Sequence, residues 1–354
     1  MPSLVGSEMC IRDRTEAVKW YRKAAEQGFA QAQRTLGDCY YNGDGAEEDD
    51  KEAAKWYRKA AEQNDAKAQY KLGQCYEDAV GVDLDMEKAA EWYKKSAEHG
   101  NREAQCKIGY CYYFGWGVDE NKTEAVKWYK RAAEQDHAEA QYDLGECYYH
   151  GWGVQKNEGE AVKWFEEAAE NYNADAQYEL GCCYYNGEGV EKNSAKAVEW
   201  YRKSAENGNE LAQYNLGNCY KCGDGVTKDL GRAAEWYRKS AEQGYAMAQC
   251  NLGYCYKNGI GVEKDVIKAT EWYQKSAENG DASAQYNLGI CYEYGTGVTL
   301  SKATAAEWYR KAADQGDADA QYKLGVFYEN GYGVTQDKEQ AMHCLLYTSP
   351  SPRD

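Results

Sequence analysis

Positive charge is scarce in this chain relative to negative charge. It has 42 Lys and Arg residues against 59 Asp and Glu residues, which gives a net charge of −17 at pH 7. The imbalance is strongest between His137 and Glu191, where twelve acidic residues face two lysines. Such a surface repels a phosphate backbone, so nucleic acid is a poor partner. A basic peptide or protein suits it better, and a merely solvated acidic surface is the alternative.

Motifs for catalysis and for metal or cofactor binding are also missing. The four histidines form no H-E-x-x-H or other paired motif, and no glycine loop continues into G-K-[ST]. Neither S-x-x-K nor G-x-S-x-G occurs. The C-x-x-C formed by Cys219 and Cys222 has no second pair and is weak evidence for a metal site. The sequence therefore predicts no catalytic residue, no metal and no cofactor.

What the chain does contain is a strict period. A fixed period of about 20–50 residues indicates a repeat architecture, in which each unit packs against its neighbours. Such an array usually binds partners with a surface rather than reacting with them in a pocket. The period here is 36 residues, without insertion or deletion, and it is carried by nine tryptophans: Trp20, Trp56, Trp92, Trp128, Trp164, Trp200, Trp236, Trp272 and Trp308.

One period, residues 137–172, predicts two helices joined by a short loop. Its apolar residues recur at spacings of three or four in each half. Gly151 and Gly153 end the first helix, since glycine reaches the positive φ that helix C-termini often need. Residues that favour the N-cap position predict where the second helix of each unit begins. They are Asp49, Asp85, Asn121, Asn157, Asn193, Asp229, Asp265, Ser301 and Asp337.

The repeated pattern resembles a known family. A-x-A-Q-Y-x-L-G-x-x-Y-x-x-G-x-G-V followed by A-x-x-W-Y-x-K-A-A-E-Q-G is similar to the Sel-1-like repeats, relatives of the tetratricopeptide repeats. The match covers residues 29–316 as eight full repeats, with a helix of a partial repeat at each end. The resemblance implies an all-α fold, a right-handed α/α superhelical solenoid of 36-residue helix-turn-helix repeats, which acts as a protein–protein adaptor.

The repeats contain no proline, and the two ends of the chain break the period. The terminal peptides LVGSEMCIRD and CLLYTSPSPRD can be encoded by opposite strands of one duplex, which resembles a transposase adapter used in sequencing libraries. We therefore expect residues 1–14 and 344–354 to be non-native tails. The repeat array then spans residues 15–343 and is a fragment of a longer protein. The only prolines of the chain lie in these tails: Pro2, Pro350 and Pro352.

A cysteine recurs at one position of the first helix in eight successive periods. Equivalent helices of neighbouring repeats pack about 8–10 Å apart, which is too far for a disulfide. We interpret these residues as small buried hydrophobes, and free thiols favour a reducing cytoplasm. The eight residues are Cys39, Cys75, Cys111, Cys147, Cys183, Cys219, Cys255 and Cys291.

Four positions of the first helix avoid the apolar stripe and vary between repeats. Specificity can be encoded on such a variable face, and in tetratricopeptide-like superhelices the first helix lines the concave surface. We therefore predict a partner-binding groove that is acidic in the middle and carries Asn and apolar residues further on. Its selected residues are Tyr110, Phe114, Glu139, Asp143, Glu146, Asp175, Glu179, Asn215, Met247, Asn251, Tyr254, Asn287 and Ile290.

The predicted function is a non-enzymatic scaffold or adaptor that binds a protein or an extended peptide. Acidic residues in the groove favour a basic segment in that partner, while apolar anchors supply affinity. The mean hydropathy of −0.91 favours a soluble chain, and no membrane association is evident. Two alternatives remain. The array is the targeting arm of an enzyme whose catalytic domain lies outside this fragment, or it is a secreted, cysteine-rich relative with weak penicillin-directed activity.

Overall fold

The computed structural model describes residues 4–347, and the side chains of residues 14–342. This part of the chain is helical apart from short connections, and it contains no strand, so the predicted all-α class is confirmed. Apart from Arg14, the side chains of the predicted tails, 1–14 and 344–354, lie outside the described residues. The helices are α1 (Leu4–Glu26), α2 (Ala30–Asn42), α3 (Asp50–Ala61), α4 (Ala66–Glu77), α5 (Met86–Glu98), α6 (Arg102–Phe114), α7 (Lys122–Ala133), α8 (Ala138–His150), α9 (Glu158–Glu170), α10 (Ala174–Asn186), α11 (Ser194–Glu206), α12 (Glu210–Cys222), α13 (Leu230–Glu242), α14 (Ala246–Asn258), α15 (Val266–Glu278), α16 (Ala282–Tyr294), α17 (Lys302–Asp314), α18 (Ala318–Asn330) and α19 (Lys338–Tyr347).

The chain folds as two compact units, Met1–Ala176 and Gln177–Asp354. Within each unit, an even-numbered helix packs most closely on the odd-numbered helix that follows it, and each such hairpin packs on the next. We call the even-numbered helix the first helix of a repeat and its partner the second helix. The predicted 36-residue helix-turn-helix repeat is confirmed by this arrangement.

The predicted N-cap residues begin the second helices. Asn157, for example, accepts a hydrogen bond from the backbone N–H of Glu160 at 3.1 Å, which satisfies an otherwise unpaired donor. Its own N–H donates to the carbonyl oxygen of Tyr148, in the last turn of the first helix, at 2.8 Å. The loop between the two helices is therefore held at both ends by hydrogen bonds.

The second glycine of each G-x-G loop sets the distance between neighbouring hairpins. Gly153 has a φ of +70°, and a Cβ atom at this position would lie 2.2 Å from the carbonyl oxygen of Lys122 in the preceding repeat. Any side chain would collide there, so only glycine allows this approach. The loop therefore packs against the N-terminus of α7 in the repeat before it.

A tyrosine or phenylalanine of the second helix forms the deepest layer of the core. Tyr237 is 1% exposed, and its ring lies on Gly217 of the first helix, where a Cβ atom would be 2.7 Å from the ring. The tryptophans of the 36-residue period differ in burial: Trp56 and Trp128 are buried, whereas Trp236 is half-buried and Trp20 is 60% exposed. Lys239 covers the ring of Trp236, with Nζ 3.9 Å from its centroid.

A glutamine in the first helix links consecutive hairpins through buried hydrogen bonds. Gln213 donates to the carbonyl oxygen of Ala205 at 3.0 Å and accepts from the side chain of Gln243 at 2.9 Å. A buried amide is costly unless it is paired, so this contact fixes how one hairpin sits on the next. The same pair of bonds forms at Gln33, Gln69, Gln105, Gln141, Gln249 and Gln285.

The eight periodic cysteines are buried, as the sequence predicted. Burial raises the pKa of the Cys75 thiol to about 11 and that of Cys147 to about 12. They pack as small apolar side chains inside the first helices. No helix in the described part of the chain has both the length and the apolar character needed to cross a bilayer.

Candidate functional site

The predicted groove residues lie on the first helices α6 to α16. Phe114, Met247 and Tyr254 are each 49% exposed, and Glu139 and Asp175 are also exposed. The other eight are partly buried, which corrects the expectation that these positions avoid the core. Those eight are Tyr110, Asp143, Glu146, Glu179, Asn215, Asn251, Asn287 and Ile290.

Four of the predicted residues come together in one cleft between α6 and α8. Tyr110 and Phe114 contribute from α6, and Asp143 and Glu146 contribute from α8. We call this the aromatic–acidic cleft. Its lining is Tyr110, Tyr113, Phe114, Tyr129, Tyr142, Asp143, Glu146, Cys147 and Trp152.

The aromatic side of this cleft is a connected set of rings. Tyr110 stacks on Phe114, with ring centroids 6.1 Å apart, and meets Tyr129 edge-on at 5.6 Å. Tyr113 meets Trp152 edge-on at 5.8 Å, which joins the last turn of α6 to the loop that follows α8. Rings that support one another in this way lose little conformational freedom when a ligand binds.

The acidic side of the cleft is largely desolvated. Burial raises the pKa of Asp143 to about 7, although interaction with the Tyr110 hydroxyl acts in the opposite direction. The Oδ2 atom of Asp143 is buried without a hydrogen-bond partner. Burial also raises the pKa of Glu146, although His150, with Nε2 3.6 Å from a carboxylate oxygen of Glu146, acts in the opposite direction. Burial removes favourable hydration from a carboxylate, and attraction to a cation that enters the cleft offsets a large part of that loss.

A second cleft occupies the equivalent place three repeats later, between α12 and α14. It contains Asn251 and Tyr254 of the predicted groove, but lysines replace the carboxylates as its charged groups. We call it the lysine cleft. Its lining is Lys221, Cys222, Lys228, Leu230, Ala233, Tyr237, Asn251, Tyr254, Cys255 and Ile260.

The remaining predicted residues line neither cleft. Glu139 accepts a hydrogen bond from the hydroxyl of Tyr110 at 3.2 Å, at the edge of the aromatic–acidic cleft. Ile290 packs against a buried core cluster of the second unit. The residues outside both clefts also include Asp175, Glu179, Asn215, Met247 and Asn287.

Sequence reasoning missed the residues that the loops contribute. Trp152 and Ile260 occupy the middle of the G-x-G loop, and Lys221 lies one residue before the end of its first helix. A usable signal existed, because the middle residue of this loop changes from repeat to repeat while both glycines are mostly retained. The motif search also missed Cys106, His137 and Glu139, which the fold brings together.

The family model for the Sel1 repeat matches ten consecutive segments of this chain, from residue 4 to residue 347. The chain belongs to the Sel1 repeat family. Eight of the matched segments are complete and lie between residues 30 and 317, while shorter ones, 4–29 and 318–347, lie at the two ends. The Sel1 solenoid fold is typical of protein–protein interaction scaffolds, which are generally non-catalytic.

Solved Sel1 repeat proteins support the same assignment. A protective antigen present in uropathogenic Escherichia coli strains, which displays an SLR fold, is 37% identical, with a TM-score of 0.81 over 94% of this chain and 79% of that one. A Sel1 repeat protein from Oxalobacter formigenes is 29% identical, with a TM-score of 0.69 over 87% of this chain and 89% of that one. The comparison with curated proteins gave no significant match.

Proposed function

We propose that this Sel1 repeat protein is a non-enzymatic scaffold that binds a protein segment and holds a cationic side chain of it in the aromatic–acidic cleft. The observation that carries the proposal is the pairing, in one cleft, of supported aromatic rings with the desolvated carboxyl groups of Asp143 and Glu146. Lys and Arg are the protein side chains that satisfy both features at once.

Electrostatics support a cation in this position. The buried Oδ2 of Asp143 has no hydrogen-bond donor, and a guanidinium or ammonium group would supply one. The acidic stretch from His137 to Glu191 surrounds the cleft in sequence and would steer a basic segment towards it. The negative charge should raise the association rate of the basic segment and orient it. Burial of its cationic side chain in the cleft should slow dissociation.

The rings of the cleft favour the same ligand. A cation held over an aromatic face gains about 0.5–2 kcal/mol, with tryptophan the strongest partner. Trp152 and Phe114 are 36% and 49% exposed, so both present surface that a ligand can cover. The apolar stem of Lys or Arg packs against such rings while its charged end reaches the carboxylates.

The experiment is to select peptides against the full chain and to measure the affinity of each hit. Peptides in which norleucine or citrulline replaces Lys or Arg should bind at least about tenfold more weakly. The double variant Asp143→Asn, Glu146→Gln should lose the same factor. Glu158→Gln, Glu170→Gln on α9 removes equal charge outside the cleft and should leave affinity unchanged.

Two results would overturn the proposal. One is a set of hits that bind equally well without their cationic residues. The other is an equal loss of affinity in the cleft variant and in the α9 variant, which would show that only total charge matters. Circular dichroism of both variants establishes that each remains folded.

A further inference from the structure

We propose that Cys106, His137 and Glu139 form a binding site for a zinc-type divalent metal ion, at the junction of α6 and α8. One ligand atom from each of the three side chains lies within 4.8 Å of the other two. His137 and Glu139 follow Cys106 by 31 and 33 residues. Cys106 lies in α6, His137 is the N-cap of α8, and Glu139 lies in the first turn of α8, so two consecutive repeats contribute to the site. This site is separate from the proposed peptide-binding role of the neighbouring cleft.

The thiol occupies a position that normally holds an aromatic ring. In other repeats, a tyrosine at this point of the first helix packs on the core aromatic residue of the second helix. Cys106 is 2% exposed and has no ring, so a buried thiol stands where those repeats have a ring. The corresponding tyrosines are Tyr70, Tyr142, Tyr178, Tyr214 and Tyr286.

The imidazole also replaces a residue of a different kind. His137 is the N-cap of α8, and its Nδ1 accepts a hydrogen bond from the backbone N–H of Ala140 at 3.2 Å. Asn or Asp caps the first helix in most other repeats, as Asn101 and Asn173 do. A neutral imidazole has one ring nitrogen with a free lone pair. Binding a metal through that nitrogen would therefore replace its hydrogen bond with the N–H of Ala140. An asparagine at 137 would retain the cap and remove the ligand.

The geometry is close to what a tetrahedral ion needs. Zinc bonds of about 2.0–2.3 Å place neighbouring ligand atoms about 3.3–3.8 Å apart. The three ligand atoms lie within 4.8 Å of one another, so side-chain adjustments of about 1 Å complete the site. Glu139 is exposed and Cys106 is buried, so the ion would enter from the solvent side.

Other groups around the site favour a positive ion. Asp143 lies one helical turn after Glu139 on α8, on the same side of the helix. Its carboxyl group belongs to the neighbouring cleft and adds negative charge beside the three ligands without being one of them. The nearby cation Arg102 is held by Glu103 and by the carbonyl oxygen of Gln135.

The ligand set selects the class of metal. A thiolate, an imidazole and a carboxylate suit Zn²⁺ and its spectroscopic substitute Co²⁺, whereas Mg²⁺ and Ca²⁺ prefer all-oxygen sites. The chain also contains an internal control. Cys250 is the equivalent cysteine four repeats later, but Asp281 and Ser283 stand in place of the histidine and the glutamate.

The test uses the full chain, stripped with a chelator and kept reduced, and titrated with Co²⁺ alone. We expect one equivalent to bind with a thiolate-to-cobalt absorption band, and Zn²⁺ to displace it. Cys106→Ser and His137→Asn should each remove the band, and Glu139→Gln should weaken binding about tenfold or more. Cys250→Ser and Cys222→Ser should leave band and stoichiometry unchanged.

A second readout excludes loss of folding as the cause. Zn²⁺ should raise the melting temperature of the parent chain and of Cys250→Ser, but not that of His137→Asn, because ligands stabilise only a state that binds them. Peptide binding by His137→Asn should stay at the parent level, which separates this site from the cleft. The absence of a thiolate band in the parent chain, or its persistence in Cys106→Ser, would refute the proposal.

Discussion

The aromatic–acidic cleft and the lysine cleft have the same position within the repeat but charged groups of opposite sign. Each lies between consecutive first helices, and corresponding residues are three repeats, or 108 positions, apart. The core beneath them is the same, since Tyr129 and Tyr237 occupy equivalent places. The side chains that line the clefts above this core differ. In the lysine cleft, Lys221, Asn251, Tyr254 and Ile260 take the places of Tyr113, Asp143, Glu146 and Trp152, respectively.

This difference shows how a repeat protein acquires specificity. The glutamine links, the glycines under the aromatic rings and the N-caps of the second helices are shared by both clefts, so they carry no information about the partner. The positions that differ lie on the cleft-facing side of the first helices and in the G-x-G loops, away from the shared aromatic layer of the core. Specificity at these clefts can therefore change without refolding the framework.

Exchanging the cleft residues should produce the largest effect. Replacing Asp143, Glu146 and Trp152 by the lysine-cleft residues Asn, Tyr and Ile should weaken binding of a Lys- or Arg-containing peptide by about a hundredfold or more, because both carboxylates and the best cation–π partner are lost. Isothermal titration calorimetry with the selected peptide measures this change.

The reverse exchange is the control for that experiment. Asn251→Asp, Tyr254→Glu and Ile260→Trp alter only the lysine cleft and should leave the affinity for the same peptide within about twofold. A comparable loss from the reverse exchange would show that the aromatic–acidic cleft does not account for recognition.

Substitutions in the shared framework should affect both regions equally. Gly145→Ala and Gly253→Ala place a Cβ atom 2.5 Å from the ring of Phe165 and 2.8 Å from that of Tyr273, respectively. Each should lower the stability of its unit by about 1–3 kcal/mol through overpacking. Urea denaturation followed by circular dichroism tests this, and a neutral result at either glycine contradicts the shared-framework interpretation.

A smaller effect is expected at the ends of two second helices. Tyr172 has a φ of +62° and is 83% exposed, while the equivalent residue in the other unit is Gly280, with a φ of +92°. Tyr172→Gly should stabilise the first unit by about 0.5–1 kcal/mol, since it relieves left-handed strain without losing burial. Gly280→Ala should destabilise the second unit by about 1 kcal/mol.

Thermal unfolding of these two variants provides the measurement. Melting temperatures that move in the same direction would contradict the assignment of strain to the tyrosine. Asp136, with a φ of +58°, offers an independent check in the first unit, because Asp136→Gly should raise stability as Tyr172→Gly does.

The smallest effect should come from the predicted non-native tails. A chain that spans residues 15–343 should unfold within about 1 kcal/mol of the full chain, because the described side-chain interaction it loses, between Arg14 and Asp44, is an exposed ion pair. Urea midpoints of the two chains are compared by circular dichroism. A larger loss would indicate that the terminal segments belong to the repeat array.

The hairpin framework could be predicted from the sequence because its determinants are local and repeated. An N-cap such as Asn157 acts on residues three positions away, and a loop such as Gly151 to Gly153 ends its own helix. The buried state of the cysteines followed from the apolar stripe of a single helix. Each signal recurs in at least eight repeats, so single exceptions did not obscure it.

The clefts could be predicted only in part, since each is assembled from two repeats. The sequence identified Tyr110 and Asp143 as variable positions, but it did not show that Trp152 reaches the same place from the following loop. The pattern also did not show that Tyr237 lies deeper in the core than Trp236. Relative depth depends on how one hairpin sits on the next.

The sequence by itself determined the period, the helices, the caps and the acidic character of the middle repeats, because each depends on residues within one turn or on simple composition. Only the tertiary structure decided which variable side chains face one another. Packing of hairpin on hairpin brings together residues that are about one period apart. In this way Asp143 and Phe114 come to line one cleft, and the thiol of Cys106 comes to lie near the imidazole of His137. No local pattern records such a distance, so the candidate sites became visible only in three dimensions.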